Sequence, residues 1–411
     1  MAGYDATIDT VIIGGGQAGL AMSYLLTQQD REHLILEKQQ RIGESWRNRW
    51  DSFTLVTPNW QLQLPGFPYQ GDDPDGFLSR DEVVKYLEDY TASFNPPIRY
   101  GIEVKSVKRD VASEKYMIHT DDQAYEATNV VVAVGTHQFP NIPECRKKVP
   151  PEMNQLHSCD YKNPESLPKG GVLVVGSGQS GSQIAKELHE NGRKVHLCVG
   201  SARRLPRQYR GRDCMWWADQ LGIFDETMEQ LDSPAERFAA NPQVSGQNGG
   251  QDINLHQFAR DGITLLGRLE DVNDGRIFLA KDLHQNLAAA DKMAEQIRQG
   301  ADTFVEKAGL DLPEEEVDEP KDGFEQEEIP ELDLAENGIN NILWATGFGW
   351  DYNWIHLPVF DEFDYPIQQQ GVTEYPGLYF LGLHFLHTRK SGLFLGLGED
   401  ARYVADHLAE R

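Results

Sequence analysis

Two stretches carry glycines at a spacing that lets backbone cradle phosphate. They are Gly14-x-Gly16-x-x-Gly19 in "IIGGGQAG" and Gly176-x-Gly178-x-x-Gly181 in "VVGSGQSG". In such a turn the first glycine permits a tight bend. The second lets the chain approach a pyrophosphate, and the third lets the following helix pack on its strand. The helix N-terminus offers N–H groups and a positive dipole end to the anion. Gln17 and Ala18 in the first turn, and Gln179 and Ser180 in the second, are therefore candidate contacts as well. The two stretches part company 23 residues after the first glycine. Glu37 stands there in one, followed by Lys38; a carboxylate suits a free ribose 2′-hydroxyl and repels a 2′-phosphate. Val199 stands there in the other, with Arg203 and Arg204 just beyond, and rigid guanidinium donors suit the phosphate. The first site is expected to hold an adenosine with free hydroxyls and the second to prefer NADPH, with Arg203 or Arg204 on the 2′-phosphate. Two unlike sites imply FAD held permanently and a nicotinamide nucleotide that passes hydride to it.

The surrounding pattern supplies the elements these turns need. Residues 8–13 are apolar and rich in β-branched side chains, as a buried parallel strand is; a helical run and a second strand at 33–36 follow. Residues 171–175, 182–190 and 194–199 repeat strand, helix and strand. Residues 102–129 alternate and read as a small antiparallel excursion, after which 129–136 return as a buried strand ending at Gly135. Residues 341–348 repeat that ending at Thr346 and Gly347. These two endings read as crossovers between domains. The expected fold is α/β, with two Rossmann-like three-layer domains and the second inserted in the first. The expected division is 1–145 and 341–411 for FAD, and 146–340 for NADPH, with an acidic and helical insertion at about 282–335. Within that insertion, residues 282–308 have the periodicity of one or two amphipathic helices, with Gly300 as the candidate break. Residues 312–334 are dense in Asp, Glu and Pro and read as an exposed loop. At the end, 377–382 read as a strand, 392–398 as a glycine-rich loop and 399–409 as a helix whose N-terminus lies against the flavin. Arg389 and Lys390 just before it are candidate cations beside the reduced ring.

The bulk numbers narrow the partners. A chain of 411 residues with 39% hydrophobic content is long and apolar enough for two or three packed cores. A net charge of −27 argues against nucleic acid or an anionic membrane as partner. The start lacks a signal-peptide pattern, no stretch approaches a membrane span, and a cytoplasmic location is the simple expectation. The cysteines, Cys145, Cys159, Cys198 and Cys214, form no CxxC pair, so neither a redox dithiol nor a metal site is expected. The expected partners are a small-molecule substrate and O2; oligomeric state stays open, with a homodimer as one candidate.

On these motifs the chain resembles the flavin-dependent monooxygenases with two dinucleotide-binding domains, and bacterial flavin-containing-monooxygenase-like proteins in particular. The resemblance covers residues 8–226 and 341–408; residues 227–340 match loosely. It implies that Glu44, Trp46, Arg49, Trp50 and Thr57 form a flavin-side segment, with Asn59 near the flavin and nicotinamide. It implies that residues 345–348 form the linker between domains. Of the family's FxGxxxH pattern His157 is present, but Pro151 and Met153 occupy the Phe and Gly positions. Tyr161 to Pro164 replace the Trp-Pro of the Baeyer–Villiger form, which favours N- or S-oxygenation or a different oxidative reaction. The implied reaction reduces FAD with NADPH, forms a C4a-(hydro)peroxyflavin with O2, and oxygenates a small nucleophile. Asn59 and His157 are the catalytic candidates.

Arg207, Arg210 and Arg212, before the pair Trp216 and Trp217, suggest a pocket for an anion, a carboxylate substrate among the options; Asp252, Asn254 and His256 are expected to border it. Trp46, Trp50 and Trp60 are further candidates to line the site, and core packing explains each tryptophan equally well. Two other functions fit the same nucleotide sites. One is an NADPH-dependent reductase or dehydrogenase serving another acceptor. The other is a flavin-binding protein that senses redox state.

Overall fold

The computed structural model describes residues 6–201, 203–239, 241–317 and 319–411. Its first sheet is built around Ala6–Ile13 and Ala124–Val132, which run parallel with Val11 opposite Val130. His33–Glu37 and then Ile98–Tyr100 extend it on one side, also parallel. On the other side Ala124–Val132 does two jobs. Its first half pairs antiparallel with Tyr116–His119, which pairs with Ser106–Arg109. Its second half pairs in parallel with Leu378–Phe380 from the end of the chain. Val11, Ile12, Val130 and Val131 are fully buried, as the central strands of a sheet covered on both faces are. Helices Gln17–Gln28 and Phe394–Ala409 pack on one another against this sheet.

The second sheet is wholly parallel. Its order is Asn154–His157, Ile339–Trp344, Gly171–Val175, Val195–Cys198 and Thr264–Leu266. Ile339–Trp344 thus sits inside the sheet, between Asn154–His157 and Gly171–Val175, so a division at 341 cuts through this strand. An antiparallel meander of Leu269–Asn273, Arg276–Leu279 and Glu331–Asp333 contributes Val272, Ile277, Leu279 and Leu332 to a core shared with Leu173, Ile342 and Trp344. Among the described residues no helix is long and apolar enough to cross a membrane.

Three local expectations are corrected. Gly300 does not break the long helix, which runs unbroken from Leu283 to Ala308. Its buried positions, Leu283, Leu287, Ala290, Ala294, Arg298, Ala301 and Val305, form one stripe, and packing on that stripe outweighs the roughly 1 kcal/mol cost of a glycine. The last helix starts at Phe394 rather than 399. Gly396 and Gly398 belong inside it because backbone passes close by; a Cβ on Gly396 would lie 2.6 Å from the Lys390 carbonyl oxygen. The acidic run is exposed at 313–317 but then turns inward, burying Gly323 and ending in the strand Glu331–Asp333.

Candidate active site

The two glycine turns have the same shape. Gly14 has φ +103° and Gly176 φ +101°, a region that favours glycine. A Cβ on Gly14 would lie 2.5 Å from the Ala133 carbonyl oxygen, and one on Gly176 2.6 Å from that of Ala345. A Cβ on Gly19 would overlap the Gly14 carbonyl oxygen, and one on Gly181 that of Gly176. The middle glycines differ from these: around Gly16 and Gly178 a Cβ would meet nothing within 4 Å. Each turn is therefore closed against its own strand and open at the point where a pyrophosphate approaches. Helices Gln17–Gln28 and Gln179–Glu190 start there with no side-chain cap, so their first N–H groups are available to an anion. The Gln17 amide donates to the Gly392 carbonyl at 2.8 Å, and Ala18 packs beneath Gly382. The Gln179 amide donates to Pro242 O at 2.8 Å, and Ser180 lies in the first turn.

The strand ends differ as their residues require. Glu37 accepts the Gly15 and Gln39 N–H groups at 2.5 and 2.7 Å, which holds its carboxylate beside the first turn; Lys38 is exposed. Val199 is fully buried and offers no acid. Arg203 is half-buried, and its side chain has no ion pair among the described residues. Arg204 is only 4% exposed and is gripped by Glu319, whose two oxygens accept its Nη1 and Nη2 at 2.6 Å each.

Between the turns the chain crosses twice from sheet to sheet. Phe139–Pro140 and Phe348–Gly349 pair antiparallel at this crossing. Thr346 Oγ1 donates to Asn141 O at 2.5 Å, and both Gly135 and Gly347 face open space. Both sheets point their C-terminal ends here, where open α/β sheets bind ligands. Arg49, His137 and His384 line this crevice; Arg49 and His384 are half-buried and His137 is exposed. Thr136 Oγ1 lies 3.2 Å from His384 Nε2, and the His137 ring packs on Phe348 at 4.9 Å. Desolvation by the surrounding protein, with some help from Arg49, pushes His137 down to about 4; burial also lowers His384 and His157. All three are neutral at pH 7. His157 Nδ1 accepts the Cys159 N–H at 3.2 Å, so its proton sits on Nε2 and is donated to Gly347 O at 3.0 Å. His157 therefore clamps the second crossing.

The arrangement has counterparts in known proteins. An uncharacterised CzcO-like oxidoreductase of Geobacillus kaustophilus is 34% identical over 403 residues, spanning 98% of this chain and 98% of that one. A family model described as pyridine nucleotide-disulphide oxidoreductase matches residues 11–211. The chain belongs to the family of these CzcO-like oxidoreductases. A flavin-containing monooxygenase from Stenotrophomonas maltophilia shares this oxidoreductase's fold, with TM-score 0.67 and 18% identity over 98% of this chain and 99% of that one. The probable indole-3-pyruvate monooxygenase YUCCA4 of Arabidopsis thaliana is 31% identical over 206 residues, 49% of each chain. The fold is one that binds FAD and NAD(P)H.

Several expected site residues of the oxidoreductase lie elsewhere or are already engaged. Asn59 is buried with its amide spent on a loop, Nδ2 donating to Asp73 O and Oδ1 accepting Leu78 N–H, each at 2.9 Å. Arg389 is bound by Glu226, with Nε at 2.9 Å, and Lys390 by Asp225 and Glu399, both at 2.9 Å. They hold residues 224–227 against the C-terminal segment rather than offering a free charge to a flavin. The expected anion pocket is not an open one. Arg207 is buried, 2.8 Å from Asp213, donating to Val56 O at 2.7 Å and lying 4.3 Å from the Phe77 ring centre. It pins the second domain to the first. Arg210 is held by Asp302 at 2.9 Å and the Pro313 carbonyl at 2.8 Å. Arg212 is exposed over Trp216, while Trp217 is core against Ala301 and Val305. Asp252 accepts the Arg207 N–H, Asn254 caps the helix Leu255–Asp261, and His256 accepts the Gly323 N–H.

Within the flavin-side segment, Glu44 pairs with Arg41 at 2.8 Å, and Trp46 stacks on Phe394 at 5.8 Å. Trp50 is buried, Thr57 half-buried and Trp60 packs beside Val56 and Leu393. Sequence reasoning passed over His137, His384 and Gln61. His137 follows the Gly135 strand ending, a position that flags ligand contact. Gln61 is 1% exposed, and neither amide atom has a partner among the described residues, which suits a residue completed by a bound group.

Proposed function

We propose that the first glycine turn holds FAD, that the second holds NADPH, and that the protein is an O2-dependent monooxygenase of a small nitrogen or sulfur nucleophile. The observation that carries this reading is the pair of open cradles at Gly16 and Gly178, one beside a carboxylate and one not, flanking a common crossing. When bound, the flavin supplies the redox and oxygen-transfer chemistry. This chain's residues do the rest. The amides after Gly16 and Gly178 bind the pyrophosphates. Glu37 exchanges an N–H partner for a ribose hydroxyl. Arg203, not the sequestered Arg204, takes the 2′-phosphate. Trp46, Phe53 and Phe348 keep water from the crevice, which an oxygenase requires to avoid loss of oxidant as peroxide. His157 fixes the second crossing through Gly347 and orients the nucleotide domain.

The test uses the purified protein. It should carry FAD, be reduced faster by NADPH than by NADH, and consume NADPH and O2 in proportion to an oxygenated amine or thioether. Release of all the O2 as free hydrogen peroxide, with every nucleophile tried, would overturn oxygenation and leave an NADPH-dependent reductase.

A further inference from the structure

Carboxylates outnumber cations in this chain by 65 to 38, and most of its arginines pair with an acid. In the flavin-side segment Arg41 pairs with Glu44 and Arg47 with Glu88. Arg49, two residues on, has no ion pair and no side-chain hydrogen bond among the described residues; the adjoining Asp160 is engaged with Cys159 instead. Its guanidinium sits 5.8 Å from the Phe53 ring centre and 5.9 Å from that of Phe348, beside Cys159 and His137. A half-buried cation with no counterion is unfavourable, and the neutral His137 and His384 do not offset it. The site is completed by an anion.

Neither pyrophosphate is the natural candidate. Each has its own cradle at a helix N-terminus, and a 2′-phosphate belongs beyond Val199. Arg49 instead touches residues of the crossing, where the reactive ends of two nucleotides converge. We propose that Arg49 anchors the carboxylate of the substrate, whose apolar body packs between Phe53 and Phe348. This rests on the reading of the crossing as the reaction crevice. A planar, five-donor guanidinium matches a carboxylate bidentately, and the two aromatic rings suit an aryl or alkyl acid. The anionic anchor expected at Arg207, Arg210 and Arg212 is thereby moved to the one crevice arginine that is free to serve.

The experiment is calorimetric titration of the oxidised holoenzyme with 3-phenylpropionate, phenylpyruvate and hexanoate, each beside its primary amide. Calorimetry reads binding without turnover, so it answers even if oxygenation is disproved. The expected result is that at least one acid binds tenfold or more tighter than its amide. Arg49→Met should bind acid and amide alike, Arg49→Lys should keep part of the preference, and Arg212→Gln should keep all of it. Equal binding of every acid and amide by the unaltered protein, absence of binding, or a preference that survives in Arg49→Met would overturn the proposal. Loss of FAD from both Arg49 variants would also overturn it, by assigning the charge to the cofactor.

Discussion

The Arg204–Glu319 contact joins the strand-end arginines to the acidic run, and replacing Glu319 with Gln tests what it does. Glu319 is 10% exposed, accepts both Arg204 nitrogens at 2.6 Å, and takes Arg298 Nη1 at 2.5 Å as well. Gln keeps the shape but removes the charge shared by two arginines. Removing one partner of a buried pair costs about 3–5 kcal/mol. Arg204 would still face Asp291 at 3.6 Å and Asp252 at 3.7 Å, so a loss at or below the bottom of that range, about 2–3 kcal/mol, is expected. At roughly 2–4 °C per kcal/mol for a domain of this size, melting should fall by about 5–10 °C. Trypsin should also cut faster at Lys307 and Lys321, which flank the loop. The sign with pH follows from the carboxyl itself. Burial alone would raise Glu319, but the hydrogen bonds and charges of Arg204 and Arg298 outweigh it and hold the group below the usual range. Its contribution is therefore present at neutral pH and lost as acid titrates it, so the gap between the two proteins should close below that range. A melting temperature within 1 °C of the unaltered protein at pH 7, with unchanged cleavage, would refute the argument that this network secures the loop.

Three further outcomes are expected. Arg203→Gln should lower the NADPH-to-NADH preference in flavin reduction by roughly tenfold or more, the worth of a charge-assisted hydrogen bond, whereas Arg204→Lys should leave it within about threefold. Gly16→Ala should fold normally and lose FAD, because its Cβ enters only the open cradle; Gly19→Ala should fold poorly, because its Cβ meets the Gly14 carbonyl, and circular dichroism with flavin absorbance separates the two. Asp400 is buried in the last helix, and burial raises it to about 6, although a Ser391 hydrogen bond opposes this. Its charged form is costly, so the unaltered protein should gain stability as pH falls from 8 toward 5, and Asp400→Asn should be more stable by about 1–3 kcal/mol at pH 8 with a flatter profile in denaturant titrations.

What could be read from the sequence was local. Gly14 to Glu37 and Gly176 to Val199 each specify a strand, a turn and a helix within about 25 residues, through spacing and backbone sterics alone. The antiparallel excursion between 106 and 132 was legible for the same reason, since alternation marks a half-buried strand. The strand Ile339–Trp344 was visible as an element, but its sheet was not. An apolar run states that it is buried and is silent on which neighbours it pairs with, and this one slots between two strands more than 160 residues earlier.

The arginines show where such reading ends. Arg49, Arg203, Arg204, Arg207 and Arg210 look alike in a sequence, because a guanidinium's availability depends on the acids that face it. Those acids are remote: Glu319 lies 115 residues from Arg204, and Asp302 lies 92 from Arg210. No periodicity links them; the inward turn of the acidic run and the unbroken Leu283–Ala308 helix bring them together. That run, which by composition is a solvated loop, neutralises the cluster that by composition is an anion pocket. Arg49 is left open by the converse circumstance: it meets histidine, cysteine and aromatic side chains and makes no ion pair among the described residues. In so acidic a chain an unpaired charge inside a crevice is the informative one, and only the packed structure sets Arg49 apart from the solvent-facing arginines.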